Sequence, residues 1–469
     1  MLLLCLLSLL LATHAQQLRL SLNTVTRFDS SSSSFTVPPQ DQLSISIALC
    51  SPSTPPRVII STDDLDVHEV ILKDGFGLFT GSFEKGGTIT LDGLSPGASF
   101  ELGLSTNGPL HEIVSRDPLF GDSTNNQAIL FSHPFAFPPP TPPPQFPNYT
   151  LPAANATLPD PPSSLPNLTL IVSQTSNTPL LRTSCFLNSS AVKAEGKIIN
   201  SSSWLRSPED GWRTEYLLAG LEPQTNYTAF VIQDDYKVSG PIYFFTKSTS
   251  FHCTLVHSLP YCPATSYSIP LSPPSTSIGQ FPIYDTTSLP RQLQDTFIRT
   301  LQNFTVALLT FACGRDFYSP VVGCEECQKE YRKWLCTVVF PRCTEPSPGN
   351  PDFVVWDSSL NGVVNAQLPG SQTVVSALLP MPSSSSSSTK QTPFMNQAYM
   401  KLLPCIETCT SVDRACPPFL QFRCPNSMFN GAASYGFGYM DGGGLDGRWR
   451  GGVVDSAQDG WGNVWCNEG

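Results

Sequence analysis

Charge is scarce in this 469-residue chain: Asp, Glu, Lys and Arg together make up 13% of it. The net charge is −11, and no run of Lys or Arg occurs. A groove for a polyanion needs clustered cations, so nucleic acid is excluded as a partner. Histidine is also sparse, with six in all and none beyond His257. The helical module that follows therefore has no imidazole to serve as ligand or general base. No Walker loop and no H-E-x-x-H string is present. The sequence accordingly nominates no catalytic, cofactor-binding or metal-binding residue, and no enzyme. After the first residues, no apolar run approaches the roughly 20 residues that cross a bilayer as a helix.

The opening "MLLLCLLSLLLATHAQQ" reads as a secretory signal peptide over residues 1–15, ending in a small-x-small pattern at Thr13-His14-Ala15. The basic residues usual before the apolar run are missing. The ending "GWGNVWCNEG" has no hydrophobic tail, which argues against a lipid anchor. Seven N-x-S/T sequons, at Asn148, Asn155, Asn167, Asn188, Asn200, Asn226 and Asn303, suit N-glycosylation of exposed chain. Together these features point to the secretory pathway.

Short alternating segments separated by Gly, Asp or Ser mark residues 16–132 as a β-sandwich-like domain, and the texture returns over 168–250. The two share an internal echo. Gly93-Leu94-Ser95-Pro96-Gly97-Ala98-Ser99-Phe100 aligns with Gly220-Leu221-Glu222-Pro223-Gln224-Thr225-Asn226-Tyr227. Each leads from a small-residue turn to an aromatic that opens a strand, like the corner of a fibronectin-type sandwich. Between them, residues 133–167 are Pro-rich and read as an extended, glycosylated spacer. The period then changes. Leu293, Phe297, Leu301, Phe304, Leu308 and Phe311 line one face of a helix, with Asn303 pointing elsewhere. Shorter helical patterns follow in "CEECQKEYRKWLCTVV" and "NQAYMKLLPCIETCTSV". Residues 344–392, with six consecutive serines, read as a disordered insertion, and 425–469 as a Gly-rich tail.

Fifteen cysteines are present, and Cys5 leaves with the signal peptide. The remaining fourteen (Cys50, Cys185, Cys253, Cys262, Cys313, Cys324, Cys327, Cys336, Cys343, Cys405, Cys409, Cys416, Cys424 and Cys466) are an even number, as full bridging requires. Cys50 and Cys185 are left for each other by count. Cys324-Glu325-Glu326-Cys327 has the spacing of a zinc knuckle or a thiol-redox site. The absent histidines and an oxidising compartment favour structural disulfides instead. "STDDLDVHE", Ser61 to Glu69, concentrates acids without the glycine and terminal Glu of a calcium loop. It reads as a solvated edge. Glu325 and Glu326 are adjacent, so on a helix they point about 100° apart and make no facing acid–base pair.

The order and spacing of "CTLVHSLPYCPATSYSIP", "LCTVVFPRC" and "LLPCIETCTSVDRACPPFLQFRCP" resemble the frizzled-type cysteine-rich domain. With "FACGRDFYSPVVGCEECQKEYRKWLCTVVFPRC", the sequons and the β-rich N-terminal half, the chain resembles the fungal stretch-activated calcium-channel accessory subunits of mating-induced-death type. The likeness is specific over Phe251–Pro425 and architectural before it. It implies a multi-domain α+β protein, with β-sandwich-like segments followed by a mainly helical, stapled module over 251–469. The implied bridges are Cys253–Cys343, Cys262–Cys336, Cys313–Cys416, Cys409–Cys424 and Cys405–Cys466, with no template for Cys324 and Cys327. The implied function is regulatory: an extracellular subunit of a voltage-gated-type, four-repeat calcium channel, needed for calcium influx on stress or pheromone. Membrane association would run through that pore-forming partner, at the plasma membrane's extracellular face and also in the endoplasmic reticulum. The alternative is a secreted or surface receptor whose frizzled-like groove takes a lipid or peptide.

Overall fold

The computed structural model describes residues 18–425 apart from 53, 63–65, 141, 143–144, 178–180, 190–191, 275–280, 347–353, 357–363, 368–372, 376 and 384–393, together with 431, 434–436, 464 and 466–469. The signal-peptide segment, most of the serine run and the glycine-rich stretch 437–463 lie outside those residues. The chain forms two compact units. One takes the residues up to Val114 with Pro179–Lys193 and Ile232–Val238, and the other takes the rest. Strands predominate and helices are few, an α+β chain with seven disulfides.

The first unit contains β1 (Leu18–Arg19), β2 (Thr24–Asp29), β3 (Ser34–Val37), β4 (Gln40–Leu49), β5 (Arg57–Thr62), β6 (Val67–Val70), β7 (Phe76–Phe83), β8 (Gly87–Asp92), β9 (Ser99–Ser105), β10 (Glu112–Ile113) and the short helix α1 (Ser184–Leu187). The sheets β1-β3-β8-β5-β6 and β2-β9-β4-β7 share one core. Alternation supplies that core: Phe35 and Val37, Val58 and Ile60, Ile89 and Leu91, and Phe100, Leu102 and Leu104 all point inward. Leu181 and Phe186, far along the chain, plug the same core, and Cys185 beside them is bridged to Cys50.

The second sandwich opens with β11 (Leu119–Ser123) and β12 (Gln127–Phe131), continues after the Pro-rich stretch with β13 (Leu168–Gln174), β14 (Lys197–Leu205), β15 (Trp212–Ala219) and β16 (Asn226–Gln233), and closes with β17 (Lys237–Phe245). The β11 and β12 strands were assigned by sequence to the 16–132 domain. Here they join the sheet β11-β12-β15-β14, because β12 pairs antiparallel with β15 from Gln127↔Ala219 to Phe131↔Glu215. Even-numbered Phe120, Ala128, Leu130, Tyr216 and Leu218 face β13, β16 and β17, while odd-numbered Leu119, Ile129, Phe131 and Leu217 pack on Leu255. A sheet covered on both faces needs near-continuous apolar residues, which Ala128 to Phe131 supply.

The echoed corner is present in both sandwiches. Gly93 and Gly220 turn through positive φ, and the aromatic that follows is fully buried. In the second sandwich the Glu222 amide also donates to Tyr227 Oη at 2.8 Å, a bond Phe100 cannot accept.

The remainder holds β18 (Thr254–Val256), β19 (Tyr267–Ile269), α2 (Arg291–Leu308), α3 (Cys324–Val339), β20 (Arg342–Cys343), β21 (Val354–Trp356), β22 (Val364–Gln367), β23 (Thr373–Val375), β24 (Leu378–Met381), β25 (Tyr399–Leu402) and α4 (Ile406–Ala415). Helix α2 buries Leu293, Phe297, Leu301 and Leu308 on the face read from the sequence, and leaves Asn303 exposed. The insertion 344–392 is not uniformly coil. Strands β21, β22 and β23 pair antiparallel, and β24 pairs with β25 because Ala377 and Leu378 are buried in a small core with Leu402, Leu403, Cys405 and Cys466.

Candidate functional site

Six disulfides fall within residues 253–466. Cys253–Cys343 and Cys262–Cys336 tie the first hairpin to α3 and β20, Cys405–Cys466 holds the chain's last described residues, and Cys409–Cys424 closes a loop behind α4. The expected Cys313–Cys416 bridge is replaced by two others, Cys313–Cys324 and Cys327–Cys416. The reason is local. Three residues apart on α3, Cys324 and Cys327 lie on one helix face, and both enter the cluster formed with Cys313, Cys416, Leu308 and Val412. The Cys-x-x-Cys pair is thus spent on two separate staples. The two Cys–Glu–Cys groupings with metal-like spacing, Cys50–Glu101–Cys185 and Cys405–Glu407–Cys466, likewise have both sulfurs committed to bridges. Glu326 serves the helix itself, accepting from the Gly323 amide at 2.8 Å in a capping box. Burial, and then its neighbour Glu326, push the Glu325 carboxyl above its ordinary value.

The second half of the Pro-rich stretch is not a free spacer. Tyr149 and Leu151 pack into the cluster around Cys313 and Cys327, and Ala154 packs beside Tyr261 and Phe297. Gln328 Nε2 donates to the Pro152 carbonyl at 2.9 Å and to Thr305 Oγ1 at 2.8 Å, so one amide joins this strap, α2 and α3. Arg332 donates to the carbonyls of Ala153 (2.8 Å) and Ala154 (3.1 Å), and burial pushes its guanidinium down to about 10. Gly314, at φ +76, lies under the strap, where a Cβ would come within 2.3 Å of Tyr149. Only glycine fits there.

A buried ionic joint fastens the stapled module to the second sandwich. Asp122 on β11 is fully buried between Arg342 (3.2 Å) and Lys247 (3.4 Å). It also accepts from the amides of Ser123 (2.8 Å) and Ser268 (3.0 Å). Burial alone would raise the Asp122 carboxyl, but Arg342, Lys247 and the two amides together hold it below the usual carboxylate range. Two cations share this one carboxylate. Burial, only partly offset by Asp122, pushes the Lys247 ammonium down.

Nearby, Ser258, His257 and Glu215 assemble in a way that invites comparison with a hydrolytic triad. Ser258 Oγ lies 2.7 Å from His257 Nδ1, and Glu215 Oε2 lies 3.3 Å from that same nitrogen. A relay needs Ser and carboxylate on opposite ring nitrogens. Here both crowd one, and Ser258 also donates directly to Glu215 at 3.1 Å. The arrangement satisfies a buried glutamate. The string Gly93-Leu94-Ser95-Pro96-Gly97 has the letters of a nucleophile elbow, yet it is the β8–β9 turn, and Ser95 bonds Thr54 at 3.2 Å. An elbow requires a strand-to-helix turn. Of "STDDLDVHE", residues 63–65 lie outside the described ones, and Glu69 is taken by Arg57 at 2.9 Å across the β5–β6 edge. The segment 437–452 of the glycine-rich run lies outside the described residues.

Against known families, residues 86–448 match the Mid1 family, a stretch-activated Ca2+-permeable channel component. A protein of Cryptococcus neoformans, "Stretch-activated cation channel MID1", is 35% identical over 432 residues, covering 87% of this chain and 67% of its own length. The chain belongs to the Mid1 family. Two further members are more distant. "Stretch-activated cation channel MID1" of Saccharomyces cerevisiae is 29% identical over 249 residues, and "Stretch-activated cation channel yam8" of Schizosaccharomyces pombe is 26% identical over 231. Each match covers 48% of this chain and 38% and 41% of those relatives respectively. The family model takes in the last two strands of the first sandwich, the second sandwich and most of the stapled module. Membership therefore extends well beyond the cysteine-rich motifs that suggested it.

Proposed function

We propose that this chain is the extracellular accessory subunit of a voltage-gated-type calcium channel, supporting calcium influx on stress or pheromone stimulation. The observation that carries the reading is family membership across residues 86–448, whose model is described as a channel component. Seven disulfides suit an oxidising compartment, so the chain enters the secretory pathway and resides at the outer face of the plasma membrane. Among the described residues no helix is long and apolar enough to cross a membrane, which is consistent with residence through a four-repeat pore-forming partner. Six sequon asparagines, Asn148, Asn155, Asn167, Asn188, Asn200 and Asn303, are exposed and available for glycans, and Asn226 is half-buried at the start of β16. Docking falls to the frizzled-like module, whose staples and strap leave little entropy to lose on binding.

Two observations count against a lipid receptor. The strap already lies across α2 and α3. The cleft of about 690 Å³ beside Tyr284 sets Ser272, Thr287, Ser288 and Asn396 among Leu271 and Phe394, a mixed lining that suits no acyl chain. The test is calcium influx in cells lacking the native protein, with co-purification from detergent extracts. Wild type restores influx and brings down the pore subunit, while Cys336→Ser and Cys409→Ser are retained during folding and restore nothing. Normal influx from Cys336→Ser at normal surface level would overturn the role of the staples. A wild type that neither rescues nor captures a channel would favour the receptor.

A further inference from the structure

We propose that an N-linked glycan on Asn200 shields the free edge of β14 from pairing with a second copy of this chain. The inference rests on the secretory reading above. Among the described residues strand β14 is bonded to β15 alone and ends its sheet. Its second half is anchored, since Leu205 is buried and Trp204 Nε1 donates to the Pro263 carbonyl at 2.7 Å. Its first half, Lys197 to Ser202, is exposed at six consecutive positions, Ile198 and Ile199 included.

An exposed uncharged edge is a template for another strand, and proteins blunt such edges with charge, bulges or cover. The other long edges of the two sandwiches carry such devices. Strand β2 has Arg27 and Asp29, β6 has His68 and Glu69, and Val70 and Leu72 close over Gly77 of β7. On β13 the Val172 carbonyl is taken by the Glu195 amide, and the sequon at Asn167 stands immediately before the strand. Strand β14 has one charge, Lys197 at its very start, and a register shift between Ile198 and Asn200. Its remaining device is the sequon Asn200-Ser201-Ser202, rooted inside the exposed stretch. A pairing strand must approach to about 4.8 Å. A bulky hydrated oligosaccharide on Asn200 fills that approach. The occupant it excludes is β14 of a second copy, because antiparallel pairing of identical edges about a two-fold axis is self-complementary.

The experiment uses the full secreted chain. Glycopeptide mapping should find Asn200 occupied. Asn200→Gln and Ser202→Ala, which delete the same glycan by different routes, should each double the mass seen by sedimentation as concentration rises. Adding Ile199→Lys to Asn200→Gln should return the monomer mass, and Asn303→Gln, which removes a glycan from α2, should remain monomeric. If Asn200→Gln is not secreted, enzymatic trimming of the folded parent substitutes for it: self-association supports the proposal and unchanged mass overturns it. The proposal also falls if both sequon variants stay monomeric, or if Asn200 is bare while Asn148 and Asn303 are occupied. No occupied sequon at all would overturn the secretory reading itself, and this inference with it.

Discussion

Eighteen buried side chains form the core of the first sandwich, and none of them is a cysteine; of the six buried residues around Cys327, four are half-cystines. The sandwich draws its core from many strands, with up to four inward residues each, placed by simple alternation. The stapled module has three helices of 18, 16 and 10 residues joined by long loops, and its buried residues divide among one core of fifteen and two clusters of six. Short helices are marginal alone. In the two six-residue clusters, where sulfur takes the place of aliphatic side chains, covalent closure of the unfolded chain adds the stability that burial does not.

The largest effect should come from removing sulfur where it forms the core. Cys327→Ser with Cys416→Ser should abolish cooperative folding of the module, seen as lost secretion and loss of its thermal transition. Cys50→Ser with Cys185→Ser should lower the first unit's stability by about 2–5 kcal/mol while leaving a cooperative transition, because all eighteen core residues remain. Equal outcomes for the two pairs would remove the distinction.

The next effect lies at the joint. Asp122→Asn leaves Lys247 and Arg342 buried beside a neutral group and should cost about 3–5 kcal/mol in chemical denaturation. The Asp122 carboxyl is held below its unfolded value of about 3.9, so its contribution is complete above that value. It is lost as pH falls through the lower folded one. Wild type should therefore lose stability in acid more steeply than Asp122→Asn.

Releasing the strap should matter less. Arg332→Ala removes both charge-assisted hydrogen bonds to the strap, each contributing roughly 1.5–3 kcal/mol, and should raise the rate of proteolytic cleavage between residues 146 and 156 several-fold with the module still folded. The smallest effect compares the two corners. Tyr227→Phe should cost about 1 kcal/mol and give the second sandwich the corner that Phe100 already gives the first.

Much of this was legible in the sequence where the signal is local. The α2 face follows from steps of three and four, and the two corners from an eight-residue echo. Tertiary choices were not legible. Nothing in "QAILF" says that its partner is β15, some 90 residues on, so it and "LFGDS" beside it read as the end of the first sandwich. Tyr149 and Leu151 look like spacer residues until α3 is beside them. Ala377 and Leu378 sit in serine-rich company, yet they pack because β25 returns alongside. The staples at Cys313 and Cys416 went astray for a related reason. A template without Cys324 and Cys327 joins those two directly, whereas two extra sulfurs on one helix face intercept both.

That interception is also the most direct thing to measure. Non-reducing peptide mapping of the secreted protein should return Cys313 joined to Cys324 and Cys327 joined to Cys416. Recovery of Cys313–Cys416, with Cys324 joined to Cys327, would contradict a module whose core is built around two separate staples on α3.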